Sequence, residues 1–247
     1  MSFGVKPVLT DVTVALPRGQ ISAIVGPNAS GKTSLLRCLS RLQTRTNGRV
    51  LLDGAPIDSL KTRDVARRIA LLPQTTTAPA GMRVQELVLH GRTPHQSPFR
   101  QWSAEDEALV TDALAAVGLA DQSDRLLSDL SGGQRQRAWI AMVLAQDTDI
   151  LLLDEPTTYL DLPHQRDVLT LVQQLQKERG LTVAMILHDI NLAARYADRI
   201  MALKDGRLLH NGPPAEVITL ETMQQIYGLD CSILTDPHSG KPHIIPK

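Results

Sequence analysis

Cysteine is scarce in this chain: 247 residues carry two, Cys38 and Cys231, far apart and in no metal-ligand spacing. That excludes a disulfide framework and a thiolate metal site of the usual spacing. Cys38 falls on an apolar helical stripe with Leu35, Leu39 and Leu42, so core packing is expected of it. An excess of one charge is missing too. Lys plus Arg number 26 and Asp plus Glu 26, a balance that argues against a general polyanion binder and leaves room for a local phosphate site. No nucleic-acid partner is expected. No apolar run approaches the ~20 residues needed to cross a bilayer; Ala138–Ala145 is among the longest. Residues 1–7 hold no signal-peptide hydrophobic stretch. The expectation is a soluble, cytoplasmic protein whose membrane role, if any, comes through a partner. Repeats and low-complexity tracts are also absent.

An apolar content of 43% over 247 residues is enough for one large α/β domain or two small ones. Short apolar runs without alternation recur at Ile21–Val25, Ile69–Leu72, Ile150–Leu153 and Val183–Leu187. This pattern fits strands buried on both faces of a parallel sheet covered by helices. Helical periodicity lies between them at Ser34–Arg41, Gln134–Ala145 and Gln165–Gln176, the last with Val168, Leu169, Val172 and Leu175 on one face. Asp53-Gly54 and Asp205-Gly206, each between apolar runs, predict antiparallel hairpins. The Pro/Thr/Gly-rich stretch 75–102 leads into a separate, mostly helical lobe ending near Ala145. After Gly212 an ordered extension with one helix, Leu220–Tyr227, is expected.

Gly26, Pro27, Asn28, Ala29, Ser30, Gly31, Lys32 and Thr33 form the G-x-x-x-x-G-K-[ST] pattern between the strand Ile21–Val25 and the helix opened by Ser34. Backbone N–H groups in a concave loop at a helix N-terminus attract phosphate. Lys32 would reach the β- and γ-phosphates, and the Thr33 hydroxyl would ligate Mg²⁺. Ala29 occupies a position where many such loops have Gly, and a negative φ is expected there.

Asp154 and Glu155 close a buried strand, which puts two carboxylates at the sheet edge where open α/β sheets bind ligands. Asp154 is the better candidate for Mg²⁺, through its water shell. Glu155 can polarise a water aimed at the γ-phosphorus as a general base. His188 follows a second buried strand that a parallel sheet brings beside Glu155. Gln74, after the strand Ile69–Leu72, is placed to touch Mg²⁺ or the attacking water.

Ser131, Gly132, Gly133 and Gln134 open the helix that runs to Ala145. With the phosphate loop, Gln74, Leu153–Pro156, Leu160-Asp161 and His188, this order of motifs resembles the ATP-binding-cassette (ABC) ATPases, and the Ser-Gly-Gly-Gln segment is its specific part. The resemblance implies a phosphate-loop NTPase fold with a RecA-like core, an antiparallel β subdomain and a helical subdomain. It implies one domain over 1–247, with the helical part at about 76–146 and a C-terminal extension at about 212–247. It also implies that two copies face head to tail, with Ser131 and Gly133 of one contacting the γ-phosphate held by the other, and Asp161 communicating between the sites. Such cassettes carry an aromatic residue that stacks on adenine, here Phe3, usually after an extra strand; this chain begins almost at that point.

A narrower likeness lies in Gln134–Gln146, Glu155–Asp161 with His164-Gln165, and His188–Asn191. These segments are similar to the ATPase subunits of bacterial iron–siderophore, ferric-citrate, haem and cobalamin importers. That implies separate integral-membrane permeases, indirectly a substrate-binding protein, and a place on the inner face of the plasma membrane. The permeases would dock between core and helical lobe, near Gln74. Two other readings stay open: a soluble ABC ATPase of iron–sulfur assembly, repair or translation, and a phosphate-loop kinase. The kinase leaves Ser131–Gln134 without a task.

Overall fold

A computed structural model describes residues 8–96 and 103–247. Its first strand, β1 (Ile21–Val25), is buried throughout and leads to α1 (Lys32–Leu39). A short antiparallel pair, β2 (Leu51–Leu52) and β3 (Ala55–Pro56), precedes α2 (Thr62–Ala66) and β4 (Ile69–Leu72). Three helices follow: α3 (Val84–His90), α4 (Ala104–Ala116) and α5 (Gly132–Ala145). The chain returns through β5 (Ile150–Leu153), α6 (Leu162–Arg179), β6 (Thr182–Ile186) and α7 (Ile190–Tyr196). It closes with β7 (Arg199–Lys204), β8 (Arg207–Gly212), α8 (Pro214–Val217), α9 (Leu220–Tyr227), β9 (Cys231–Thr235) and β10 (Pro242–Pro246).

Among the described residues six strands form one sheet in the order β4-β5-β6-β1-β7-β8, parallel except for β8. Its uniformly apolar strands have a simple cause. Ala23, Val25, Leu151, Leu153, Val183 and Met185 face one apolar cluster, with α5 and α6. Ile24, Leu152, Ala184 and Ile186 face the other, with Leu35 and Leu36 of α1. Both faces are covered, so no polar alternation survives. Each aliphatic side chain fully buried this way contributes about 1.5–3 kcal/mol. Parallel pairing also sends the C-terminal ends of β1, β4, β5 and β6 to one edge, where the candidate residues lie.

Local signals account for the element ends. Ser131 and Asp161 cap α5 and α6 by accepting from the backbone N–H of Gln134 and His164. Asp53 and Gly54, and again Asp205 and Gly206, have positive φ (50° and 83°; 48° and 76°), as a two-residue hairpin turn requires.

Some expectations need correction. The strand before His188 runs from Thr182 to Ile186, so His188 stands in the turn beyond it. Leu42 is 68% exposed, because α1 ends at Leu39 and the stripe through Cys38 stops there. Ala29 has φ 60°, not the negative value expected, since the loop turns back at that point. Left-handed backbone costs an L-residue about 1–2 kcal/mol, while glycine adds about 0.4–1 kcal/mol of unfolded-chain entropy. Ala29→Gly is therefore expected to raise the stability of the nucleotide-free protein by about 0–1.6 kcal/mol, as read by chemical denaturation. The tail contains more than the one helix expected: α8 precedes α9, and the β9–β10 hairpin follows it. Phe3 lies outside the described residues, as does the end of the stretch 75–102.

The helical lobe is pinned by an internal ion pair. Arg92 and Asp106, 3% and 6% exposed, meet at 2.8 Å, and Arg92 also donates to the Ala145 carbonyl at 2.8 Å. Burial pushes the Asp106 carboxyl up, but bonds from Arg92 and Ser103 outweigh it and hold it below the usual range. Asp106→Ala leaves the guanidinium buried without its partner. It is expected to cost about 3–5 kcal/mol, measurable by urea denaturation at neutral pH. Because the folded value is the lower one, this contribution is fully present above the ordinary aspartate range and is lost as pH falls below that range through the lowered folded value.

Candidate active site

The loop after β1 and the turns after β4, β5 and β6 converge at the sheet edge. Lys32, buried in the first turn of α1, donates its Nζ protons to the carbonyls of Gly26 (2.9 Å) and Pro27 (2.8 Å). Burial pulls its ammonium below the usual lysine range, opposed by the charges of Glu155 and Asp154. Ser30 has a buried hydroxyl oxygen with no hydrogen-bond partner, an unspent polar group inside the loop.

Asp154 is 2% exposed and accepts from the Thr33 hydroxyl at 3.3 Å. Burial pushes its carboxyl up, and the Thr33 bond with the charges of Arg37 and His188 offsets this only in part. Among the described residues no group of three or more His, Cys, Asp or Glu is disposed to hold a metal. One buried carboxylate beside one hydroxyl, next to a phosphate loop, instead matches the sparse protein ligation of Mg²⁺, which keeps waters and takes phosphate oxygens.

Glu155 adopts a left-handed φ of 55°, which turns it away from the strand direction. Its carboxylate is the hub of the site. His188 Nε2 lies 2.6 Å from Oε1; Gln74 Nε2 and Thr158 Oγ1 donate to Oε2 at 2.7 and 2.9 Å. Burial raises this carboxyl, yet the His188, Thr158 and Gln74 bonds together hold it below the usual glutamate range. At neutral pH it is therefore ionised and can accept a proton from a water. Thr158 was missed in the sequence, where a threonine three residues past an acid carries no signal of its own.

Ser131, Gly132, Gly133, Gln134 and Asp161 gather elsewhere. Ser131 is exposed and shares a reciprocal cap with Gln134, at 3.2 and 3.0 Å. Gly133 has no room for a side chain: a Cβ there would sit 2.4 Å from Cδ2 of His164, whose Nδ1 pairs with Asp161. Gly132 faces Leu160. Among the described residues no hydrogen bond or ion pair links this cluster to Lys32, Thr33, Asp154, Glu155, His188 or Gln74. Tyr159 and Leu162, 97% and 77% exposed, flank it. One further group escaped notice in the sequence. Tyr227 of α9 has a buried phenol, pushed up to about 12 by burial against the opposing influence of the Gly26 backbone N–H.

A family model described as ABC transporter matches residues 9–158. The chain belongs to the ABC transporter family. It is 50% identical over 246 residues, 100% of its length and 91% of the relative's, to ferric enterobactin transport ATP-binding protein FepC of Escherichia coli (strain K12). Its fold is similar to that of a solved metal-chelate type ABC transporter in an inward-facing conformation. That match has a TM-score of 0.81 and 28% identity, over 94% of this chain and 89% of the other. It is also similar to a dimeric post-hydrolysis cassette, MJ0796 bound to ADP and Pi, with TM-score 0.73 and 28% identity over 86% and 93%. The cassette is thus an ATP-binding ATP hydrolase of the ABC type. No helix among the described residues is long and apolar enough to cross a membrane.

Proposed function

We propose that this chain is the ATP-hydrolysing subunit of a bacterial importer for ferric siderophores or ferric citrate, working as a head-to-tail pair beneath separate permeases on the cytoplasmic membrane face. The whole chain is taken as one cassette, with a helical subdomain at about 76–146 and a C-terminal extension at about 212–247. The observation that carries the pairing is the separation of the site into two halves. The phosphate loop with Glu155 is one half, and the exposed N-terminus of α5 is the other, flanked by the bare apolar side chains of Tyr159 and Leu162. Isolated exposed hydrophobics are ordinary; two beside an uncovered helix start suit a partner surface. Likeness to a ferric enterobactin transport protein supports the cargo class and leaves the soluble-ATPase and kinase readings without a supporting observation.

In this reading the loop from Gly26 to Ser34 cradles the phosphates of ATP, and Lys32 exchanges its carbonyl partners for phosphate oxygens. Thr33 and Asp154 would hold Mg²⁺, and Gln74, bonded to Glu155, would be the further candidate to touch it. When bound, Mg²⁺ neutralises charge on the β- and γ-phosphates. Glu155 takes a proton from water as the water attacks the γ-phosphorus. The bond to the β–γ bridging oxygen breaks, giving ADP and phosphate. His188 holds the Glu155 carboxylate in place for that transfer. Ser131 and Gly133 of the partner copy close over the γ-phosphate, so ATP favours the paired state and hydrolysis releases it. Asp161, at the start of α6, ties this contact to the neighbouring site.

Reconstitution with its cognate permeases and binding protein tests the cargo. ATP-driven uptake of a ferric siderophore or ferric citrate into liposomes is expected. Hydrolysis with uptake of haem or cobalamin alone would overturn the cargo class.

A further inference from the structure

Beyond residue 158, where the family match ends, lies the β9–β10 hairpin. Its inner residues Cys231 and Ile244, 3% and 2% exposed, belong to the same apolar cluster as Ala193, Ala194 and Tyr196 of α7. Its polar contacts reach both ends of that helix. In the first turn, Asn191 Nδ2 donates to the Ile244 carbonyl at 3.0 Å, and Asn191 Oδ1 accepts from the Ile244 N–H at 2.7 Å. The side chain thereby pairs with the strand backbone as another strand would. Past the last turn, Lys241 Nζ donates to the carbonyls of Ala197 (2.7 Å) and Arg195 (3.2 Å), groups left unpaired where a helix ends.

These contacts matter because of what α7 carries at its start. Asp189 caps it, accepting from the N–H groups of Asn191 (2.7 Å) and Leu192 (3.1 Å), and His188 immediately precedes that cap. A helix of seven residues is too short to hold its own shape or place by internal bonds. Its position is set by what it is tied to. Burial draws the Lys241 ammonium below the usual lysine range, with Asp198 opposing, so this lysine is part of the packing and not a loose surface tether.

We propose that the β9–β10 hairpin is a positioning clamp for His188: Asn191 and Lys241 fix the two ends of α7, and the capped helix start holds the imidazole against Glu155. The clamp deepens the ATPase mechanism given above and rests on it. Among the described residues neither Asn191 nor Lys241 bonds to the phosphate loop, Asp154 or Glu155; both act through the His188–Glu155 contact at 2.6 Å. Displacement of a group at the reacting centre by about 1 Å can cost about 10²-fold in rate, so a partial loosening of α7 is expected to cost about tenfold.

Steady-state ATP hydrolysis by the full chain tests this, with kcat and KM resolved for each variant. Asn191→Ala and Lys241→Met are each expected to lower kcat about tenfold while KM for ATP changes less than about twofold. Lys241→Arg, which keeps a donor, is expected to stay near wild type. Lys241→Met carries the test by itself should Asn191→Ala fail to fold. A lowered melting temperature with kcat per folded molecule unchanged would overturn the clamp. A second readout does not depend on turnover: the imidazole ¹H–¹⁵N resonances of His188 in the free chain. They are expected to move in Asn191→Ala and Lys241→Met and to remain in place in Lys241→Arg. Unmoved resonances in the first two sink the clamp even in a protein that hydrolyses ATP, whereas moved resonances in a chain without turnover would sink the mechanism and leave the clamp standing.

Discussion

Glu155→Gln is expected to lower ATP turnover by about 10²–10⁴-fold, the range for removal of a general base. It leaves ATP binding in place. Glu155 is the one carboxylate of the site that three neighbours hold ionised, with His188, Gln74 and Thr158 all directed at its oxygens. Glutamine keeps the shape and loses both the basicity and the negative charge near the γ-phosphate. Removing that repulsion while hydrolysis is blocked lets ATP hold two copies together, so a dimer accumulates on size-exclusion chromatography with ATP and disappears without it. Turnover within a few-fold of wild type would remove Glu155 from its proposed role.

The second large effect concerns the divided site. Lys32→Ala removes the charge donor of the phosphate loop and is expected to weaken ATP binding itself. Gly133→Ala brings a Cβ within 2.4 Å of the His164 ring, so ring or helix start must shift and the surface offered to a partner changes. Each is expected to lower turnover about 10²–10³-fold, the cost of losing one preorganised donor. Mixed together, the two inactive proteins should recover. In a head-to-tail pair one site then combines both defects and the other combines an intact phosphate loop with an intact Ser131–Gly133. Nucleotide-dependent pairing with one ATP per dimer, and hydrolysis above either parent, is the expected result. A mixture as inactive as its components would mean that a single chain completes its own site.

How much of this was legible beforehand depended on the range of the forces involved. The phosphate loop, the two Asp-Gly turns and the caps at Ser131 and Asp161 are written in a few adjacent residues, because backbone dihedrals and cap bonds are satisfied locally. Glu155 and His188 were legible at one remove. Buried runs without alternation predict a parallel sheet, and a parallel sheet gathers its strand ends. The β9–β10 hairpin was not legible. Its apolar positions Ile233 and Ile244 sit among prolines and polar residues, and half the hairpin faces solvent. Ala29 misled for a related reason: the sequence shows the residue type, while the path of the loop sets φ.

Taken alone, the amino-acid order determined the chemistry at each strand end and the types of most elements, since those follow from local hydrogen bonding and from burial on one or two faces. Tertiary structure decided the full set of groups that meet. It put Gln74, Thr158 and His188 on one carboxylate, His164 against Gly133, Arg92 onto Asp106, and a C-terminal hairpin across α7. Apart from Thr158 on Glu155, these contacts join residues separated by more than a dozen positions. They form only when packing of the whole sheet and its helices offsets the entropy of closing those loops, and no local pattern records that balance.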